Sequence, residues 1–343
     1  MDLLLSLPLA SYFLAPSITS WSTSLNLLFF YMTWTTLVLS HPPLRVHLAG
    51  LLAIRTALCL APALASLLFD TALPSVAEGI KYGGRSALPP RNARALSRLV
   101  GLALVNLTLL TAVEGACSWA FVRVVGEPEF KTGTTLPLPW QMLRHVLITL
   151  TAREVLHYYI SRHLLHGQSS LAGLHARYAH HRAAAPFSLQ LLTDHPLALV
   201  LHRFVPLYLP SLILRPHLLT YFLLVAVCTA EETLAMSGYS IVPGIVMGGI
   251  VQRTAIHYAS RGASNFGAWG ILDWLHGTGS GRHVLEDVRD EADKHHLKER
   301  SAKKAGKGAG LLQNGMEALT NGSDETNGTP RRSGRKRTTR RLD

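Results

Sequence analysis

The chain has 343 residues, of which 48% are apolar and only 16% charged, with a formal net charge of +12. Soluble domains usually carry about a quarter charged residues, so this composition indicates burial in lipid and argues against a wholly soluble fold. More than half of the excess charge lies in the last 46 residues, which hold 12 Lys or Arg and 5 Asp or Glu. The three cysteines, Cys59, Cys117 and Cys228, are far apart in apolar stretches and are predicted to be reduced.

Long apolar stretches predict an all-α, multi-span helical membrane protein. Each is close to the length that crosses a bilayer core of about 30 Å. A further run, 239–256, contains Pro243 and several glycines, and is either a span or a re-entrant segment. The six clearer stretches are 25–39, 48–69, 97–122, 140–159, 197–214 and 218–236. Arg55 and Glu114 fall inside predicted spans, where we expect them to face the protein interior or to snorkel.

Basic residues between the second and third predicted spans set the expected orientation. The segment from Lys81 to Arg98 contains five Lys or Arg and no acid. By the positive-inside tendency it is cytosolic. The later spans then place a histidine-rich helical cap and the C-terminus on the cytosolic side, in a multi-pass protein of the endoplasmic reticulum membrane.

Composition divides the chain into three predicted domains. Residues 1–139 hold N-terminal transmembrane helices and the cytosolic basic loop, and residues 140–297 hold the histidine-rich domain. Residues 298–343 are rich in Gly, Asn, Ser and Lys or Arg, which predicts a disordered basic cytosolic tail. The membrane context disfavours nucleic acid as a partner of this tail, and a solvated tail or contact with anionic lipid fits better.

Histidines cluster in the second half of the chain. Imidazole is a ligand for iron, zinc and copper, and His163 and His166 have a spacing that places both on one helical face. His180 and His181 are adjacent and would address different partners. Plain interfacial histidines are the competing interpretation. The histidines from 157 to 202 are His157, His163, His166, His175, His180, His181, His195 and His202.

Several motifs between Glu154 and Thr278 resemble the fatty acid hydroxylase/sterol desaturase superfamily, in order and at the right intervals. The first box resembles 154–162, and His180-His181-x4-Pro186 resembles the end of the second. The remaining landmarks are His195-Pro196, Met236-Ser237-Gly238-Tyr239, Arg261–Gly267 and Leu272–Thr278. The resemblance implies the family's membrane fold and a site in which histidines hold two irons that activate dioxygen.

The histidine boxes are degenerate, however. Only His180, His181 and His257 stand where the family has ligands, and by resemblance these are the predicted catalytic residues. Displaced histidines could restore further metal ligands if the helix register shifts: His157, His163, His166 and His175. Six other ligand positions are occupied by Ser161, Leu165, Arg177, Met236, Thr254 and Tyr258. Arg177 would add a repulsive cation beside iron. We therefore expect at most about one iron site, with no metal as the alternative.

The resemblance implies an enzyme that hydroxylates or desaturates a lipid-like molecule, with an electron-donor protein as a further partner. A sterol, fatty acyl chain, terpenoid or polyketide would suit an apolar cavity, including a role in secondary metabolism. The lost ligands leave two alternatives open. A metal-free relative could isomerise or cyclise an apolar metabolite by acid–base and shape effects, or it could only bind one as a non-enzymatic protein.

Overall fold

The computed structural model describes residues 21–281, and these residues form helices and loops without a β-strand. The all-α prediction is confirmed. The predicted basic tail, 298–343, lies outside the described residues. The helices are α1 (Trp21–Ser40), α2 (Pro43–Ala72), α3 (Pro74–Ile80), α4 (Ala93–Val125), α5 (Pro139–Tyr159), α6 (Ser170–Tyr178), α7 (Pro196–Leu214), α8 (Leu218–Ala235), α9 (Ile245–Ala259) and α10 (Ile271–Leu275).

Four of the described helices are long and apolar enough to cross a membrane: α2, α4, α7 and α8. They correspond to four of the predicted spans. The apolar part of α1, Leu25–Ser40, is a shorter helix. Helix α5 and the 15-residue α9 are not among the four. Helix α5 carries Arg144, Arg153 and Glu154, so its composition is less apolar than that of the four spans.

Two of these helices widen into a π turn just before a proline. The turn Thr56–Leu60 precedes Pro62 in α2, and the turn Val200–Phe204 precedes Pro206 in α7. Proline lacks an N–H and clashes with the carbonyl four residues earlier, and a wider turn relieves both problems. For Pro206 that carbonyl belongs to His202. A third π turn, Ile160–Leu165, continues α5. Two of the three turns therefore carry residues of the histidine-rich segment.

The loop between α6 and α7 is fixed to the bundle by a buried asparagine. The amide of Asn106, on α4, donates to the carbonyls of Leu192 and Asp194, each at 2.8 Å. A single turn at Ser188–Leu192 is wholly buried against the bundle. The ring of His195 accepts the N–H of Leu197 and caps α7. These contacts hold Asp194 at the end of the bundle where the histidines lie.

A polar network lies inside the bundle toward its other end, and we name it the His47 network. His47 Nε2 lies 3.3 Å from Glu114 Oε1, and His47 Nδ1 lies 3.1 Å from Glu129 Oε1. Arg55 donates to Glu114 at 2.5 Å. The prediction that Arg55 and Glu114 face the interior is therefore confirmed. Two tyrosine hydroxyls complete the network: Tyr221 donates to Glu114 and Tyr208 to Glu129.

Two predictions about single residues have different outcomes. The three cysteines are free, and Cys59 and Cys228 are buried. Lys81, part of the predicted basic loop, is buried and forms an ion pair with Asp70, which also accepts the hydroxyl of Tyr239 at 2.8 Å. One charge of that loop is therefore neutralised within the protein.

Candidate metal centre

Six histidines from separate segments converge at the end of the bundle opposite the His47 network. We name them the histidine cluster. Each comes from a different position in the fold. In order, these positions are helix α5, the end of the π turn that continues α5, helix α6, the loop after α6, the π turn of α7, and helix α9. In chain order they are His157, His166, His175, His180, His202 and His257.

Three members form the centre of this cluster. One nitrogen from each of His166, His175 and His180 lies within 4.8 Å of the others. The Nε2 atoms of His166 and His180 are 3.1 Å apart. Among the residues from 21 to 281, this group has the arrangement of side-chain nitrogens that could hold one metal ion.

Hydrogen bonds fix the outward nitrogens of three rings. His175 Nδ1 donates to Asp194 Oδ2 at 2.7 Å, His166 Nδ1 to the carbonyl of Ser161 at 2.9 Å, and His257 Nδ1 to the carbonyl of Ser264 at 2.7 Å. A neutral imidazole that donates through Nδ1 keeps its lone pair on Nε2. A carboxylate or carbonyl behind the ring is the usual second-layer partner of a metal-binding histidine.

The loop after α9 positions His257. The ring centre of His257 lies 4.9 Å from those of both His166 and His180. The loop that supplies the Ser264 carbonyl is closed by Asp273, whose carboxylate accepts the N–H groups of Phe266 and Gly267 at 2.8 Å each. The two sequence landmarks around residues 261–267 and 272–278 therefore form one unit that orients this histidine.

Two more histidines extend the cluster. The rings of His157 and His202 stack with centroids 4.2 Å apart, and His202 lies 6.1 Å from His175. Four buried nitrogens of the cluster have no hydrogen-bond partner among the described residues: His157 Nδ1, His175 Nε2, His180 Nδ1 and His202 Nε2. A buried polar atom without a partner costs about 1–3 kcal/mol. Because His175 Nδ1 donates to Asp194, its Nε2 carries a lone pair, which a metal ion would satisfy, so the residues present fit one.

Burial favours the uncharged form of three members of the cluster. It lowers the pKa of His166 to about 4 and that of His257 to about 3, and neighbouring histidines add to the effect. Burial also lowers the pKa of His180 far below its ordinary value. Metal binding requires the neutral imidazole. These three rings are therefore in the binding form throughout the physiological range.

A small chamber of ≈ 50 Å³ adjoins the histidines. Four of the positions where the family has histidines line it here with other side chains: Ser161, Met236, Thr254 and Tyr258. The charged residues on its wall are Arg153, Arg203, Glu231 and Glu232. Arg153 donates to Glu231 at 2.9 Å and to Glu232 at 2.8 Å. These four positions, which align with histidines of the family, therefore surround one chamber, although their side chains are not histidines here.

The predicted site residues separate into two groups. His157, His166, His175, His180 and His257 come together as described, and their role as ligands stays a prediction. His181 is exposed, with Nδ1 on the carbonyl of Tyr178, and the exposed His163 stacks on Tyr159, so the structure does not bring these two into the cluster.

Two further outcomes differ from expectation. Arg177 is exposed and lies two residues after His175 on α6, on the opposite helical face, so the predicted repulsion beside the metal was wrong.

His202 was not among the predicted ligands, because it stands in an apolar stretch that was predicted to be a membrane span. The proline four residues later, which shifts the helix into a π turn, was the available signal.

Residues 146–278 match the family model for fatty acid hydroxylase. All six members of the histidine cluster lie within this range. No solved structure matches the chain. This match confirms that residues 146–278 resemble the fatty acid hydroxylase/sterol desaturase superfamily. That family is generally one of membrane oxidoreductases whose histidines hold a di-iron centre.

Proposed function

We propose that the protein is a membrane enzyme that hydroxylates or desaturates a lipid-like molecule at a histidine-held iron centre. The observation that carries this proposal is the inward orientation of the central imidazoles. His166 and His175 are anchored from behind by a carbonyl and a carboxylate, and buried nitrogens of His175 and His180 have no partner among the described residues.

In this proposal each group of the site has a distinct task. His166, His175 and His180 hold the metal, with His257 beside them, and Asp194 orients His175. Bound iron would supply the activation of dioxygen. The carbonyl of Ser264 fixes the ring of His257, and Asp273 and Thr278 close the loop that carries this carbonyl. We keep the expectation of at most about one metal per chain, because among residues 21–281 one group of three histidine nitrogens has the required proximity.

The setting of the site is part of the proposal. We place the protein in the endoplasmic reticulum membrane with the histidine cluster and the C-terminus in the cytosol, where an electron-donor protein could reach the site. Protease added to intact microsomes should remove a C-terminal epitope tag. A tag that stays protected until detergent is added would contradict this orientation.

A second candidate function follows from the chamber wall. Ser161, Met236, Thr254 and Tyr258 stand where the family has histidine ligands, and the hydroxyls of Ser161 and Thr254 do not replace an imidazole at iron. A metal-free protein could instead isomerise, cyclise or only bind an apolar metabolite there. The neutral imidazoles would then act as acid–base groups.

The mass change in the product distinguishes these functions even while the substrate is unidentified. Lipid extracts of cells that express the native protein or the His180→Ala variant can be compared by mass spectrometry. We expect a native-specific product that has gained one oxygen or lost two hydrogens relative to a compound that accumulates in the variant. An isomeric product of unchanged mass would support the metal-free reaction, and identical extracts would support a binding protein.

A further inference from the structure

Four exposed arginines lie between α3 and the first turns of α4, in a stretch without an acidic residue, and we name residues 81–98 the arginine segment. The four are Arg85, Arg91, Arg94 and Arg98. None of their guanidinium groups forms an ion pair, hydrogen bond or ring contact with another residue between 21 and 281. One exposed acid, Glu78, precedes the segment, so the exposed side chains from 78 to 98 carry a net charge of +3.

The arginine segment is fixed to the part of the fold that carries the histidines. The side chain of Arg182, two residues after His180, donates to the carbonyl of Leu88 at 3.1 Å. Ala87 packs against Ala255 of α9, the helix that also carries a member of the histidine cluster. The exposed arginines are therefore presented from a segment that is anchored beside the candidate metal centre.

The length of α4 places two of these arginines at the level of lipid headgroups. Helix α4 has 33 residues and is about 50 Å long, which exceeds a hydrocarbon core of about 30 Å. Leu104 and Val105 are 46% and 61% exposed, as expected for side chains that face lipid chains. Arg98 precedes Leu104 by about 9 Å along the helix, and Arg94 lies one turn further out. A long cationic side chain near such a helix end extends toward the phosphate layer.

The arrangement of these arginines gives the helix itself no stability. Arg94 and Arg98 are four residues apart, so two like charges share one helical face, which destabilises an isolated helix. The side chain of Asn92 caps this end of α4 by accepting the N–H of Arg94 at 3.0 Å, and this cap involves neither guanidinium group. A layer of negative charge outside the protein would replace this repulsion with attraction.

We propose that the arginine segment binds the headgroups of anionic phospholipids, and that this contact holds the histidine cluster close to the surface of the leaflet. Clusters of at least about four arginines or lysines beside a membrane span have the charge that such headgroups attract. The proposal is independent of the proposed reaction, because neither iron nor substrate takes part in the contact.

Spin-labelled lipids test the proposal on the full chain in phosphatidylcholine vesicles in which about a fifth of the lipid is phosphatidylserine. The probes are phosphatidylserine and phosphatidylcholine with the same labelled acyl chain, so they differ only in their headgroups. Electron paramagnetic resonance measures the fraction of each probe that the protein immobilises. We expect the native protein to prefer the phosphatidylserine probe by at least about two-fold. In Arg85→Gln/Arg91→Gln/Arg94→Gln/Arg98→Gln this ratio should fall by about half.

Matched variants separate charge from folding. Lysine at the same four positions keeps the charge and should keep the preference. Arg94→Gln/Arg98→Gln should lower the ratio, whereas Arg123→Gln/Arg144→Gln, which removes two exposed arginines at the other end of α4 and near the start of α5, should not. Salt at about 1 M shortens the screening length to about 3 Å and should lower the preference of the native protein, a measurement that requires no variant.

A ratio near one for the native protein would overturn the proposal. An unchanged ratio in the four-position glutamine variant, or an equal fall in Arg123→Gln/Arg144→Gln, would overturn it as well. An acidic protein would then be the partner of matching charge for the unpaired arginines.

Discussion

Two buried polar clusters occupy the same helical bundle, and they differ in their chemistry: one pairs carboxylates with cations, and the other is built mainly of imidazoles. In the His47 network both carboxylates receive a tyrosine hydroxyl, and Glu114 also pairs with Arg55. The ring nitrogens of His47 lie 3.3 and 3.1 Å from carboxylate oxygens. In the histidine cluster, four buried nitrogens have no hydrogen-bond partner among the described residues. In the His47 network, His47 Nε2 and Glu129 Oε1 also lack a hydrogen bond, but each lies within ion-pair distance of a group of the network.

The difference indicates that the two clusters have different purposes. A network whose charges are matched internally stabilises the arrangement of helices. A group of converging imidazoles with unpartnered buried nitrogens costs free energy unless another species completes it. Polar residues alone would not separate a structural cluster from a functional one, whereas paired carboxylates and cations in one cluster and converging imidazoles in the other do.

Breaking the His47 network should have the largest effect on stability. Glu114→Ala leaves Arg55 buried without its counter-ion and removes a partner of His47, and loss of one member of a buried ion pair costs about 3–5 kcal/mol. Thermal unfolding in detergent should show a large fall in the midpoint or loss of folded protein. The matched control is Glu127→Ala, whose pair with Arg215 is exposed and should contribute less than about 1 kcal/mol. Equal effects of the two substitutions would remove the structural role of the network.

Acid should destabilise the histidine cluster of the metal-free protein. The folded pKa of His166, about 4, lies below the ordinary value of 6.5, so the unfolded chain takes up a proton first as the pH falls. The contribution of the neutral His166 ring to the free energy of unfolding is fully present above pH 6.5. It is lost as the pH falls from 6.5 to about 4, and the loss amounts to about 3 kcal/mol. Unfolding midpoints measured across that range should fall, and should fall less in His166→Gln. A flat profile would show that the ring is accessible to water.

Replacement of Asp194 should have an intermediate effect confined to metal binding. Asp194→Asn weakens the hydrogen bond that orients His175, and changes to such second-layer partners cost about 10–100-fold in metal affinity. Titration of the metal-free protein with Fe²⁺ should show this loss, while unfolding without metal changes little. Unchanged affinity would mean that His175 is not a ligand.

Sequence reasoning predicted the helical membrane fold well, because long apolar stretches and the motifs around 180–186 and 261–278 are local signals. It predicted the ligand set less well. Box alignment assigns residues by spacing, yet the π turn at Ile160–Leu165 changes which side chains face inward, so that Leu165 is buried and His166 joins the cluster. Nothing local shows that His181 is exposed while its neighbour His180 is buried.

The central claim is that the histidine cluster holds iron, and adjacent histidines offer the most direct test. Elemental analysis should be performed on the native protein, His180→Ala and His181→Ala, all purified in mild detergent. We expect about one iron per chain in the native protein and in His181→Ala, and almost none in His180→Ala. Two irons per chain would add His157 and His202 to the ligand set. Absence of iron from the native protein, or equal iron in both variants, would contradict the account.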